Sequence, residues 1–279
     1  MKSFKFLLLV FGFLFVVAFL TSCGDQEVEF SATESNTYES EENLEAAFEV
    51  ISSLTFSGMD YVESNGMARV AESDALLNCA VLTIGGKKDN GQLEIDFGDG
   101  CTGPDGRIYK GTIILEFTGR RYEVGSIVHA VLQDFYIDDY KLEGTRKSTN
   151  VTENILHPKF EIEVTNGKIT WPDESGTFAT WDASRTHTWS ISEGTGEIVL
   201  SIEGNANGVN RNGTEYYSEI VQPLVLKSGC LASSSYVPVQ GMKKIVLEGN
   251  LDINVNYGNG SCDRTVSISV GRQTKDISF

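Results

Sequence analysis

Five cysteines, three histidines and an excess of carboxylates are the groups of this chain that could do chemistry. His129, His157 and His187 stand far apart, and none has a second histidine at metal-ligand spacing. There is no His-Glu-x-x-His, no Cys-x-x-Cys and no Gly-x-Ser-x-Gly elbow. His129 falls in an alternating stretch and reads as a packed or surface histidine. Asp96, Asp99 and Asp105 lie close together among glycines, a supply of oxygens that would suit calcium. Their spacing is not that of an EF-hand, and a similar stretch further on has Asn256 and Asn259 instead. They read as turn formers, with Asp96 on the polar face of a strand. Asp182, beside Trp181, reads as a strand end. Carboxylates are too numerous for any pair to stand out as an acid and base couple. Trp171, Trp181 and Trp189, with Phe178 nearby, could stack on sugar rings, but large aromatics in strand-rich segments fill cores more often. No catalytic residue, metal or cofactor is expected.

The cysteines carry more information. Lys2 and Lys5 precede an apolar run, Phe6 to Leu20, that is short for a spanning helix and suits the core of a secretory signal. Leu20-Thr21-Ser22-Cys23 follows directly and looks like a bacterial lipobox, in which the cysteine is lipidated and becomes the first residue of the mature chain. More than one acyl chain would anchor it stably. With Cys23 committed to lipid, four cysteines remain, and four allow three connectivities. Leu93, Ile95, Phe97 and Gly98-Asp99-Gly100 lie beside Cys101, with Cys79 upstream. Ile253, Val255, Tyr257 and Gly258-Asn259-Gly260 lie beside Cys262, with Cys230 upstream. Each pair brackets one copy of a strand and turn, so Cys79–Cys101 and Cys230–Cys262 are expected as disulfides in an exported protein.

The elements that must position these groups read as β. The chain is 41% hydrophobic, which is enough for a core, and has 28 glycines against 5 prolines. Its formal charge of -17 disfavours nucleic acid and gives no attraction to anionic head groups. Residues 1–22 are expected to be a lipoprotein signal peptide, 23–43 an acidic flexible tether, and 44–279 one β-rich domain or two similar halves. Leu44, Ala47, Phe48, Ile51 and Leu54 at helical spacing predict one short helix, with Ser40 as N-cap and Gly58 ending it. Alternation predicts strands at 80–84, 92–97, 108–118, 126–137, 159–164, 168–171, 177–181, 186–191, 197–203, 216–221, 244–247, 251–257 and 265–270. Asn90-Gly91, Asn166-Gly167, Glu193-Gly194, Asn207-Gly208, Asn212-Gly213 and Asn259-Gly260 mark turns, with Asn166-Gly167 the clearest hairpin. The predicted fold is an all-β antiparallel meander, a sandwich or barrel-like arrangement of twisted sheets.

From about Cys79 to Phe279 the chain resembles a group of uncharacterised Bacteroidetes lipoproteins. The resemblance rests on Ile95-Asp96-Phe97-Gly98-Asp99-Gly100-Cys101, Gly106-Arg107, Lys110-Gly111, Pro223-Leu224 before Cys230, and Gly258-Asn259-Gly260-Ser261-Cys262-Asp263. Asp25, Glu27 and Glu29 just after Cys23 resemble the surface-export signals of such lipoproteins. The resemblance implies a β-rich, two-disulfide lipoprotein and carries no activity with it. The expected function is a non-enzymatic binding or structural role at the outer membrane, facing periplasm or cell surface, with an envelope protein or other ligand as partner. The alternatives are a glycan-binding lipoprotein, a carrier of an apolar ligand with the helix as plug, and a hydrolase with an unrecognised site. An apolar hollow would favour the carrier, and an exposed row of tryptophans the glycan binder.

Overall fold

The structure, a computed structural model, describes residues 30–64, 77–173, 175–230 and 237–278. The apolar run before Cys23, and Cys23 itself, lie outside the described residues. Among the described residues no helix is long and apolar enough to cross a membrane.

Among the described residues one α-helix precedes one sheet. The helix, α1 (Ala32–Glu63), is capped by Ser31 rather than Ser40. The Ser31 side chain accepts from the Glu34 amide at 3.3 Å, and the Glu34 carboxylate accepts from the Ser31 amide at 2.8 Å. This reciprocal pair satisfies donors that a helix start leaves orphaned. Residues 32–43, expected as tether, are therefore helical and packed, and the helix is long rather than short. Its first half is buried by polar contacts. Asn210 donates to the Thr37 hydroxyl at 2.8 Å, and the Arg211 amide donates to the Ser40 hydroxyl at 3.2 Å. Gly58 does not end the helix either. A side chain there would come within 2.8 Å of Leu115 and 2.9 Å of Leu93, so glycine lets the helix lie against the sheet.

Fourteen strands form a single antiparallel sheet: β1 (Val81–Lys87), β2 (Asn90–Asp96), β3 (Cys101–Thr102), β4 (Ile108–Thr118), β5 (Ile127–Ile137), β6 (Tyr140–Asn150), β7 (Lys159–Thr170), β8 (Phe178–Ile191), β9 (Ile198–Val209), β10 (Glu215–Lys227), β11 (Gln240–Leu247), β12 (Ile253–Asn259), β13 (Thr265–Val270) and β14 (Gln273–Ser278). Apart from the short β3, which pairs with β4, each strand pairs with the next in sequence. The fold is the expected all-β meander. Its edges, β1 and β14, are not joined, so the sheet is not a closed barrel.

Two expected turns lie inside strands. Asn166-Gly167 lies within β7 and Asn207-Gly208 within β9. At Asn166 the positive φ of 53° serves a bulge, not a turn. The β7–β8 register slips between Val164 and Gly167, and Asp182 accepts the freed Asn166 amide at 2.6 Å. Asp182 is thus a bulge anchor rather than a strand end. Similar slips interrupt the β4–β5, β5–β6, β6–β7 and β9–β10 pairings. Gly111 marks one, at a φ of 79° where a side chain would lie 1.9 Å from the Asp134 carbonyl.

A row of bulges across long strands bends them, and the sheet rolls around α1. Glu41 contacts Trp181 on β8, while the next residue, Glu42, accepts from Tyr257 on β12 at 2.9 Å. In a flat sheet these strands would be four spacings apart, about 19 Å. At the other end Phe56 lies 6.2 Å from Trp189 on β8, ring to ring, while Gly58 abuts Leu93 on β2. The helix is the filling of a sandwich made by one sheet facing itself. Only Ala32, Glu39, Asn43 and Phe56 of α1 are exposed. The core is one cluster joining Leu44, Ile51 and Leu54 to Ile95, Leu115, Val255 and Ile268.

Both disulfides have the expected pairing. Cys79–Cys101 brackets the β1–β2 hairpin and Cys230–Cys262 brackets β11 and β12, with α-carbons 5.6 and 5.4 Å apart. The two similar stretches lie near opposite ends of one continuous sheet.

Candidate functional site

The concave face of the sheet is not uniformly apolar. Along β8 the inward side chains run Ala179, Trp181, Ala183, Arg185 and His187, all buried. Along β6 they end in Arg146, Ser148 and Asn150. Two polar regions result, one on each half of the helix.

The first is an ion cluster around Lys243, which is fully buried on β11. Its ammonium contacts the carboxylates of Glu41, Glu42 and Glu45, on consecutive turns of α1. Arg185 reaches Glu45 at 3.3 Å and Glu41 at 3.5 Å. Glu41 also accepts from the Trp181 indole at 2.8 Å and the Ser218 hydroxyl at 2.6 Å. Burial alone would raise the Glu45 carboxyl, but Lys243 and Arg185 outweigh it and bring it down to about 2. Burial would lower Lys243, but Glu42, Glu45 and Glu41 hold its ammonium well above the usual lysine range. Three carboxylates face two cations. Burial pushes Glu42 up, Lys243 pulls the other way, and the Glu45 and Glu41 charges add to the upward push. Each carboxylate of the cluster is held by a partner within the fold. The chemistry of the cluster is to fix the helix in rotation and register against β8, β10, β11 and β12.

The second region is a cleft of about 550 Å³ between the C-terminal half of α1 and strands β5 to β10. Such a volume lies in the range of small-ligand sites. One helical face, Glu49, Ser53, Phe56 and Asp60, forms its inner wall. Opposite stand Phe160 and Ile162 from β7, Trp189 from β8 and Leu200 from β9. The loop between β4 and β5 closes one end. Arg121 there ion-pairs with Asp60, donates to the Phe56 carbonyl at 3.0 Å, and lies 3.9 Å over the Phe56 ring. The Arg121 amide donates to Glu63 at 2.7 Å. His187 points in from β8, 3.4 Å from a Glu49 carboxylate oxygen but without hydrogen-bond geometry.

Arg146 is only 5% exposed, yet its side chain forms no hydrogen bond or ion pair among the described residues, and its Nε is fully buried. Its cross-strand neighbours, Ala130 and Val164, have no side-chain acceptor. Burial lowers its guanidinium to about 10, against a small opposing pull from Glu49, so it is charged at neutral pH.

Of the histidines, His187 reaches the cleft, His129 is exposed on β5 and His157 is exposed before β7. Trp181 is buried against Phe48 at 5.7 Å, ring to ring. Trp171 is half-buried against Tyr140 at 6.2 Å, and Trp189 is half-buried in the cleft wall. These three do not form an exposed row. Asp96 accepts from the Gly98 amide at 2.8 Å, and Asp105 accepts from the Arg107 amide at 3.2 Å and the Tyr109 hydroxyl at 2.6 Å. Both hold turns. Among the described residues no group of three His, Cys, Asp or Glu side chains is placed to hold a metal. Arg146, Glu49, Glu41, Glu45 and Lys243 had no sequence motif to announce them. One pattern was available: Glu41 and Glu45 share a helical face with Leu44 and Phe48, where surface carboxylates do not belong.

Compared with family models, curated proteins and solved structures, the chain matches none of them.

Proposed function

We propose that this protein is a lipid-anchored envelope protein with a non-enzymatic role, and that it carries an apolar ligand in the cleft beside α1. The observation that carries this reading is the cleft. Phe160, Ile162, Trp189 and Leu200 make its outer wall apolar, and its volume of about 550 Å³ suits a small ligand. The helix then acts as a plug that fills one half of the rolled sheet and leaves the other half open to a guest. The buried position of Trp181 weighs against a glycan platform built on that residue. The Leu20-Thr21-Ser22-Cys23 pattern and the likeness to Bacteroidetes lipoproteins support an anchor in the outer membrane, facing periplasm or cell surface.

The full chain should bind the neutral probe 1-N-phenylnaphthylamine saturably, at one site, with a rise in fluorescence. Phe160→Glu, which sets a carboxylate on the cleft wall, should lose that binding while keeping the wild-type circular dichroism. Saturable binding that survives Phe160→Glu would place the probe elsewhere and sink the carrier reading. Labelled palmitate should be incorporated in cells and should vanish in Cys23→Ala. Label retained in that variant would remove the anchor.

A further inference from the structure

An arginine buried in a cleft without an acceptor needs an explanation. The guanidinium cannot shed its proton to escape burial as a lysine or histidine can. Buried charges are ordinarily paired, and Arg146 is flanked across the sheet by Ala130 and Val164. The other basic side chains of the cleft, Arg121 and Lys227, are occupied. Arg121 pairs with Asp60, and Lys227 donates to the Gly260 carbonyl at 2.7 Å. The Glu49 carboxylate lies against His187 and makes no ion pair with Arg146. A second unused donor sits opposite: the buried Ser52 hydroxyl on α1 has no partner among the described residues and also lines the cleft. In a chain of formal charge -17, this cleft has three Arg or Lys side chains against two carboxylates.

We propose that the ligand of the cleft is a single-chain amphiphile with a compact anionic head, such as a fatty carboxylate, whose head pairs with Arg146 and whose tail lies along Phe160, Ile162 and Leu200. This rests on reading the cleft as a ligand site. A forked guanidinium matches a carboxylate with two parallel hydrogen bonds, and in a place shielded from water such a bond is stronger than at the surface. The anion supplies the hydrogen-bonded partner that Glu49 does not, and the apolar wall supplies the rest of the contact.

The test uses the full chain and displacement of 1-N-phenylnaphthylamine by dodecanoate or by methyl dodecanoate, which differ in the head alone. Dodecanoate should displace the probe at a concentration lower by about tenfold or more. The preference should disappear in Arg146→Met and survive in part in Arg146→Lys. Without ligand, Arg146→Met should melt at or above the wild-type temperature, because it removes an unpaired buried charge, and dodecanoate should no longer raise its melting temperature. If the two compounds displace the probe equally, the anionic head is refuted and the apolar carrier stands. If neither displaces it and dodecanoate leaves the wild-type melt unmoved, the carrier reading falls with it. A preference that persists in Arg146→Met assigns the head to another cation and overturns the proposal. Should Arg146→Met fail to fold, carboxyl-labelled dodecanoate bound to the wild type decides. Its carbon-13 resonance must titrate below the free acid, and an unchanged or raised midpoint refutes the pairing.

Discussion

Lys243 holds three carboxylates of the helix from a single position on the sheet, with no exposure to water. Replacing such a residue by an apolar one of similar size leaves three crowded carboxylates with Arg185 as their one remaining cation in the cluster. Lys243→Met should therefore cost about 3–5 kcal/mol of stability, measured by urea denaturation. A double-mutant cycle with Glu45→Gln should recover part of that loss, because the two residues are in contact. The same cluster sets an acid limit. Glu45 sits at about 2 in the folded protein against a usual 4.5, so the unfolded chain binds its proton first as pH falls. Its contribution is complete above 4.5 and is lost on going down through 2. Thermal melts between those limits should fall more steeply for the wild type than for Glu45→Gln. The cations of the cluster lie far along the chain from its carboxylates. Glu45 and Lys243 are 198 residues apart, which is why a reading by motif found the cysteines and missed the ions.

At the scale of elements, alternation located most strands but not their joins. β4 and β13 have the expected ends, because Ile113, Leu115 and Phe117 and then Val266 and Ile268 alternate cleanly toward the core. β6 escaped because its inward row ends in Arg146, Ser148 and Asn150, which read as surface. That gap in the pattern is the candidate site itself. Asn166-Gly167 misled for a different reason: a positive φ serves a bulge as well as a turn, and only the strands on either side decide which. The helix start was spelled out by Ser31 and Glu34 but lay in a stretch without apolar periodicity, whose buried side chains are Thr37, Ser40 and Glu41. The helix also makes its closest approach at a residue that sequence reading takes for a stop. Gly58→Val should destabilise by about 1–3 kcal/mol in spite of removing a glycine from a helix, since Leu93, Ile95 and Leu115 are fully buried and have no space to yield. Chemical denaturation measures it, and a gain in stability would show that the contact with β2 and β4 is loose.

An unclosed sheet of fourteen strands has two ends to secure, and each carries a disulfide nearby. The bridges close loops of 22 and 32 residues, worth about 3–4 kcal/mol each on chain entropy. Cys79→Ser with Cys101→Ser should lose about that much, and non-reducing peptide maps should join Cys79 only to Cys101 and Cys230 only to Cys262. A fragment joining the two pairs would contradict the local brackets. The winding of sheet around helix also orders events in time. Each hairpin of the meander joins neighbours in sequence and can zip as soon as its second strand exists. The helix is made first, yet Glu41 waits 140 residues for Trp181 and 177 for Ser218, and Glu42 waits 215 for Tyr257. A chain emerging from its N-terminus must carry the first half of α1 only partly covered until β11 and β12 have followed. That half presents Glu41, Glu42 and Glu45 through the wait, and the lysine that pairs with them arrives late, on β11.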